Sequence, residues 1–269
     1  MGGIVESYAK VNQFDKASAM LDKALQIANH QSPVEKAMAL QEIAESYANV
    51  NQFDKALQIA DQIQFLDKKI KALGGIAESY AKVNQFDKAL QIANQIQYPY
   101  SGEKARALQE IAESYANVNQ FDKALQVANQ IEFPVDKART LGGIAESYAN
   151  VNQFDKASTM LDTALQINNH GDNKYMALGV IAESYAKVNQ FDKALQLANQ
   201  FGNSVPKVKI LGGIAESYAN VNQFDKASAT LDEALQIANR IQHPVDKVEA
   251  LGYIAVSYAN VNNRKEEEP

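Results

Sequence analysis

The chain repeats itself. The string Ser-Tyr-Ala-(Lys/Asn)-Val-Asn returns eight times, with tyrosines at Tyr8, Tyr47, Tyr80, Tyr115, Tyr148, Tyr185, Tyr218 and Tyr258. The gaps between successive tyrosines are 39, 33, 35, 33, 37, 33 and 40 residues. Seven copies run on into Gln-Phe-Asp-Lys-Ala, with phenylalanines at Phe14, Phe53, Phe86, Phe121, Phe154, Phe191 and Phe224. A period of this length marks a repeat architecture, in which each copy is one small unit that buries its apolar faces by stacking on its neighbours. The 269 residues therefore set a number of units rather than the size of one core.

The third copy shows what the unit is. Ile70, Leu73, Ile76, Ala77, Tyr80 and Val83 are spaced by three or four, which is one stripe of an amphipathic helix. Phe86, Ala89, Leu90 and Ala93 repeat that spacing in a second helix, with Ile92 and Ile96 forming another stripe beside it. A second helix with two apolar faces needs two neighbours: its own partner and the first helix of the next repeat. Ala77 and Ala89 are small and fall on the facing stripes, so the two helices can approach closely there. The turn reads Val83-Asn84-Gln85-Phe86-Asp87. Asparagine tolerates the left-handed conformation that ends a helix and is also a good N-cap, so Asn84 is expected to close one helix and open the next. Pro33, Pro99, Pro134, Pro206 and Pro244 follow the second helices and stop them. The expectation is two helices of about 13 residues per repeat, a typical helix length. Repeats one, five and seven carry a longer second helix, as in Phe14 to Leu25, by about a turn to a turn and a half. The added turns are expected on the outer side.

Composition removes several classes of function. With 46% hydrophobic and 22% charged residues, the chain is globular. It has no cysteine, which removes disulfides, thiolate metal sites and cysteine nucleophiles and suits a reducing, cytoplasmic setting. A formal net charge of -6 argues against a broad nucleic-acid surface, which needs a basic face. No apolar run approaches the roughly 18 residues that cross a bilayer, and the N-terminus is not a secretory signal. His30, His170 and His243 are far apart and suggest no metal site. The Leu-Gly-Gly-Ile strings lie in helical pattern rather than after a strand, so they are not phosphate loops. No convergent acid–base set is present, and the reading is of a protein that is not an enzyme and uses no cofactor.

In order and spacing, Leu73, Ile76, Ala77, Tyr80, Phe86 and Ala89 resemble the tetratricopeptide repeat, a helix-turn-helix unit of about 34 residues. The resemblance covers essentially the whole chain and implies an all-α, right-handed α-α superhelical solenoid. Seven helical hairpins and a final helix would occupy residues 1–263 as one domain, with 264–269 a charged tail. Leucine stands where the family has tryptophan near the start of the first helix, and asparagine replaces the turn glycine. The family's basic carboxylate clamp is missing. Gly74, Gly142, Gly212, Gln41 or Gln109 occupies its lysine place, and Glu78 and its equivalents occupy its asparagine place.

The resemblance further implies that the first helices line a concave groove, and the candidate site residues follow from that. Two places before the tyrosine stand Glu6, Glu45, Glu78, Glu113, Glu146, Glu183 and Glu216, with Val256 in the eighth repeat. Two places after it stand Lys10, Asn49, Lys82, Asn117, Asn150, Lys187, Asn220 and Asn260. One reading is a binding ladder, its carboxylates attracting a basic partner and its amides gripping an extended backbone. The other is helix solvation, with Glu78 and Lys82 paired four residues apart. The pairs Gly74-Gly75, Gly142-Gly143 and Gly212-Gly213 interrupt first helices, either for close helix approach or to open a groove floor. The function expected is a scaffold for a protein or peptide segment. The alternatives are head-to-tail self-association, since neither end carries a polar cap, and the sensor portion of a larger signalling protein.

Overall fold

A computed structural model describes residues 14–97, 101–167 and 174–266. Among these residues there are fourteen helices and no strand. In chain order they are α1 (Phe14–Ala28), α2 (Pro33–Asn49), α3 (Phe53–Asp61), α4 (Leu66–Lys82), α5 (Phe86–Ala93), α6 (Ser101–Asn117), α7 (Phe121–Ala128), α8 (Pro134–Asn150), α9 (Phe154–Ile167), α10 (Lys174–Lys187), α11 (Phe191–Ala198), α12 (Val205–Ala219), α13 (Phe224–Arg240) and α14 (Pro244–Glu266). Even-numbered helices are the first helices of their repeats and odd-numbered ones the second. The first helix of repeat one, with Glu6, Tyr8 and Lys10, lies outside the described residues, as do Pro99 and His170.

The chain forms two compact bodies, Met1–Phe133 and Pro134–Pro269. Within each, helices pack on their neighbours in sequence order, the arrangement of an α-solenoid. In the N-terminal body α2, α4 and α6 pack side by side as one layer, and in the C-terminal body α8, α10, α12 and α14 do the same. The second helices α3, α5, α9, α11 and α13 each touch two first helices, their own and the next. The doubled apolar face of each second helix is thereby covered on both sides. The facing alanines are sealed: Ala44, Ala77, Ala56 and Ala89 are each 0% exposed.

Proline begins helices here. Pro33, Pro134 and Pro244 are the first residues of α2, α8 and α14. A first-turn N–H has no helical partner, so proline loses nothing there and its fixed φ suits the helix. Before Pro33, Ser32 donates both its N–H (3.3 Å) and its hydroxyl (2.6 Å) to Oε2 of Glu35, one half of a capping box.

The turn corrects half of the expectation for asparagine. Asn51, Asn84, Asn119, Asn152, Asn189 and Asn222 all sit at φ between 59° and 63°. Around Asn84 the Gln85 N–H donates to the Tyr80 carbonyl at 2.9 Å, and the Asn84 N–H to that of Ala81 at 2.9 Å. Those two bonds define a Schellman ending. The N-cap of the next helix is Gln85, not Asn84. The Gln85 carbonyl accepts from the Ala89 N–H at 3.0 Å, so its peptide ties two helices together through the main chain alone.

Helix lengths also differ from the expected 13. First helices such as α4 have 17 residues and short second helices such as α5 have 8. The long second helices α1, α9 and α13 have 15, 14 and 17 residues, about two turns more than the short ones. The last helix, α14, has 23 residues and continues through Arg264, Lys265 and Glu266. No described helix is long and apolar enough to cross a membrane.

Candidate functional site on the first helices

The first-helix layer positions the candidate residues by simple periodicity. The tyrosine points into the core, 1% exposed at Tyr47 and 3% at Tyr80. Residues two before and two after it are four apart, and so share the opposite, outward edge of the helix. Asn49, Lys82, Asn117, Asn150, Lys187 and Asn220 are exposed. Glu45, Glu78, Glu113, Glu146 and Glu216 are half-buried, and Glu183 is exposed.

Five of the six described glutamates of the column, all but Glu183, make a hydrogen bond or ion pair within their body. Glu78 binds Arg106 Nε of the next repeat at 2.6 Å, not its own Lys82. Lys187 reaches back one repeat to Glu146 at 3.0 Å. Glu216 Oε1 accepts the Ser257 hydroxyl of the next repeat at 2.7 Å. Glu45 and Glu113 accept side-chain amides from Gln41 (3.1 Å) and Gln109 (2.9 Å) one turn earlier. The amides take part as well, since Asn49 Oδ1 accepts the Ser79 hydroxyl at 3.0 Å. The columns are therefore cross-linked between repeats, and the pairing expected four residues apart within a helix is replaced by a bond to the neighbouring repeat.

Desolvation pushes the Glu45 carboxyl above its ordinary range, against the Gln41 bond and the Arg106 charge. It does the same at Glu183, whose surface still meets water, while Lys187, Arg139 and Lys209 pull the other way.

The glycines explain how the layer closes. A Cβ on Gly75 would lie 2.8 Å from the Cγ of Glu45 in the preceding repeat. A Cβ on Gly212 would lie 2.7 Å from the Ser257 hydroxyl, and one on Gly142 would overlap that of Ser184. At Gly142 close helix approach leaves no room for a Cβ, while at Gly75 and Gly212 a side chain of the neighbouring repeat would have to turn aside, and what occupies the space in each case is a neighbouring repeat.

Two openings face outward on the C-terminal body. A polar cleft of about 370 Å³ between α12 and α14 is lined by Glu216, Ala219, Asn220, Asn260, Asn263 and Arg264. It joins two residues of the amide column with one of the acid column. An apolar pocket of about 250 Å³ includes Val135, Arg139, Met176, Val180, Glu183 and Ile210. The sequence reading did not single out Met176 and Val180. The signal was present: repeat five has Arg139 and Gly143 where repeat six has Met176 and Val180.

No protein-family model matches the chain, and no curated protein matches it. Among solved structures it is similar to the crystal structure of Ton1535 from Thermococcus onnurineus NA1, with 17% identity over 94% of this chain and 89% of that one and a TM-score of 0.33.

Proposed function

We propose that the chain is a non-enzymatic interaction module of tetratricopeptide type whose first-helix face receives an extended peptide or protein segment. The observation that carries this is the cleft in which Asn220 and Asn260, equivalent residues of successive repeats, lie together with Glu216. A peptide main chain offers an N–H and a carbonyl at every residue, and an amide side chain can answer both. Amides at Asn150, Asn220 and Asn260, with Lys187 standing between the first two, suit a ligand with a repeating backbone. The acid column adds a preference for basic or donor-rich side chains, weakened wherever a glutamate is already paired, as Glu78 is with Arg106. The cytoplasm is the compartment we assign, since the chain carries no thiol that needs oxidation.

The test is a display screen of extended peptides against the full chain, followed by affinity measurement with the Asn220→Ala/Asn260→Ala variant. Selected peptides should bind the variant about tenfold more weakly, the loss of one or two good hydrogen bonds. Equal affinity for both chains would remove the amide column from the binding site.

A further inference from the structure

Four substitutions that set repeat six apart, and one in repeat seven, meet around the apolar pocket between α8, α10 and α12. Tyr175 stands where the other described repeats carry alanine, isoleucine or valine. Met176 stands where repeats three, four, five and seven carry Lys71, Arg106, Arg139 and Lys209, and Val180 where repeats three, five and seven carry glycine. Phe201 replaces the Ile63, Ile96 and Ile131 of repeats two to four, and Ile210 replaces their Ala39, Ala72 and Ala107. Phe201 and Ile210 are buried and form the floor. Gly179 leaves that floor uncovered, since a Cβ there would stand 3.6 Å from Cδ1 of Ile210 and 4.0 Å from Phe201. Tyr175 meets Phe201 edge-on, with centroids 5.6 Å apart. Even so, Tyr175 stays 60% exposed and Met176 64%. Substitutions that served packing alone would bury their side chains, whereas these two hold theirs in water around an open cavity.

We propose that this cavity is the specificity pocket of the peptide-binding face and takes one large, uncharged apolar side chain of the extended segment. The inference rests on the peptide reading above and adds what the segment must carry. Glu183 lines the pocket and Glu216 lines the cleft with Asn220 and Asn260, so the two openings join through successive members of the acid column. A volume of about 250 Å³ suits one leucine, methionine or phenylalanine side chain. Sites that enclose whole small molecules are larger, roughly 300–1,000 Å³. The rim carries both signs of charge, with Arg139 paired to Asp136 at 3.6 Å, Lys209 paired to Glu249 at 3.1 Å, and Glu183 on the pocket wall. An incoming cation meets Arg139 and Lys209, an incoming acid meets Glu183, and either loses its water against Met176 and Val180, so the complementary occupant is neutral. The pocket lies about one helix spacing, roughly 10 Å, across the layer from Asn220 and about two turns, roughly 11 Å, along it. At about 3.3 Å per residue, an extended segment places its apolar residue about four to five residues from the one held by Asn220.

The experiment uses the full chain and two kinds of probe. Acetylated amides of leucine, phenylalanine, lysine and aspartate are titrated and read on the methyl NMR signals of Met176 and Met38. Met38 holds the same helix position in repeat two, beside Glu42 instead of Val180, and reports general apolar adhesion. The leucine and phenylalanine amides should move the Met176 signal saturably and leave Met38 in place, and the charged amides should bind at least about tenfold more weakly. Peptides from the display screen form the second arm. Replacing their apolar residue by alanine should weaken binding to wild type about tenfold, and should change nothing in Met176→Arg/Val180→Gly. That variant carries the residue types with which repeat five already folds, Arg139 and Gly143. Equal response of Met176 and Met38, equal binding of charged and apolar amides, or a pocket variant that still distinguishes the two peptides overturns the proposal. Peptides weakened by Asn220→Ala/Asn260→Ala but not by the pocket variant remove the pocket alone. Peptides weakened by the pocket variant alone support the pocket and remove the amides, and peptides weakened by neither remove both.

Discussion

The hydroxyl of Tyr185 donates to Oδ1 of Asp162 at 2.5 Å, and the bond crosses from one repeat to the next. Tyr47 makes the same bond to Asp22 at 2.5 Å, and Tyr258 to Asp232 at 2.6 Å. The three aspartates lie on the long second helices α9, α1 and α13. After a short second helix, the next tyrosine instead stacks on a phenylalanine: Phe53 on Tyr80, Phe86 on Tyr115 and Phe191 on Tyr218, each with centroids 3.9 Å apart. Within each body, neighbouring repeats therefore meet through one of two joints, a ring stack after a short second helix or a hydroxyl–carboxylate bond after a long one. Phe154, which precedes the Tyr185 joint, is left 40% exposed. This gives the long helices of repeats one, five and seven a role that their sequence alone did not supply.

The polar joint should make stability depend on pH at both extremes. Burial, followed by the Asp162 bond and charge, pushes the Tyr185 hydroxyl well above its ordinary range. Burial and Asp232 push Tyr258 up to about 12. A phenol whose folded pKa exceeds the unfolded value of about 10 contributes stability that is complete below pH 10 and is lost as pH rises through the folded value. At Asp162 burial acts upward, but the bonds from Tyr185 and Lys193 outweigh it and hold the carboxyl below its usual range. That contribution is present above about pH 4 and is lost as pH falls through the folded value. Urea unfolding of Tyr185→Phe should show a flatter alkaline limb than wild type, with a cost of about 1 kcal/mol at pH 7. An unchanged alkaline limb would mean the hydroxyl does not contribute to the joint.

The stacked joint should respond to shape rather than pH. Phe53 is 8% exposed and lies at 13° to the Tyr80 ring. Phe53→Ala should cost about 3–5 kcal/mol through lost burial and a cavity. Phe53→Leu keeps most of the apolar area, and should lose mainly the ring pairing, about 0.5–1.5 kcal/mol. A double-mutant cycle with Tyr80→Leu isolates that pairing, and a coupling energy near zero would assign the whole effect to burial.

What could be read from the sequence was whatever depends on period. Tyr80, Ala77 and Ala89 were placed in the core by spacing alone, and the two-sided second helix implied neighbours on both sides. Spacing names the face a residue occupies, but not the residue it meets. The Phe53 stack on the following repeat's tyrosine was therefore invisible, as was the reach of Asp162. The N-cap was missed for a local reason: asparagine suits both ends of a helix, and here the Schellman ending claims it first. In the candidate site, the columns were legible and their cross-repeat partners were not. The Glu78–Arg106 pair spans 28 positions with no motif to announce it.

The left-handed turn gives a sharp test at Asn84, whose φ is 60°. Alanine there must adopt a conformation that crowds its Cβ, at a cost of about 1–2 kcal/mol. Glycine has no Cβ, and should change stability by only a few tenths of a kcal/mol despite its greater freedom in the unfolded chain. Chemical denaturation of Asn84→Ala and Asn84→Gly should separate by about 1 kcal/mol or more. The same ordering is expected at Asn119 and Asn222, which share the geometry.

The charge columns should matter little for folding. Arg106 is 61% exposed in its pair with Glu78, and an ion pair this open contributes about 0–1 kcal/mol, less at high salt. Arg106→Ala should therefore unfold within about 1 kcal/mol of wild type. Glu183→Gln should be neutral or stabilising at neutral pH. Its carboxyl is raised by desolvation, so the folded state favours the uncharged form, and the ionised form lowers stability as pH rises through the folded value. Thermal melting at pH 4 and pH 7 checks this: the wild-type loss between the two should shrink in the variant. A large loss of stability in Glu183→Gln would instead make that glutamate a structural residue.

Glycine replacements should divide according to what faces them. In an open helix, glycine to alanine stabilises by up to about 1 kcal/mol. Gly213 fits that case, because a Cβ there would meet only the Cγ of Glu183, at an ordinary 3.6 Å. Gly142 does not. Its Cβ would overlap the Ser184 hydroxyl and approach the Ser184 Cβ to 3.2 Å, and a serine Cβ moves only if its helix moves. Overpacking of this kind costs about 1–3 kcal/mol, more than the helix preference returns. Gly213→Ala should therefore raise the unfolding midpoint of the C-terminal body, and Gly142→Ala should lower it. Gly142→Ala combined with Ser184→Gly should recover most of the loss, because removing the serine side chain restores the room that α8 and α10 need. If Gly142→Ala were stabilising on its own, the glycines could not be the reason these first helices lie so close.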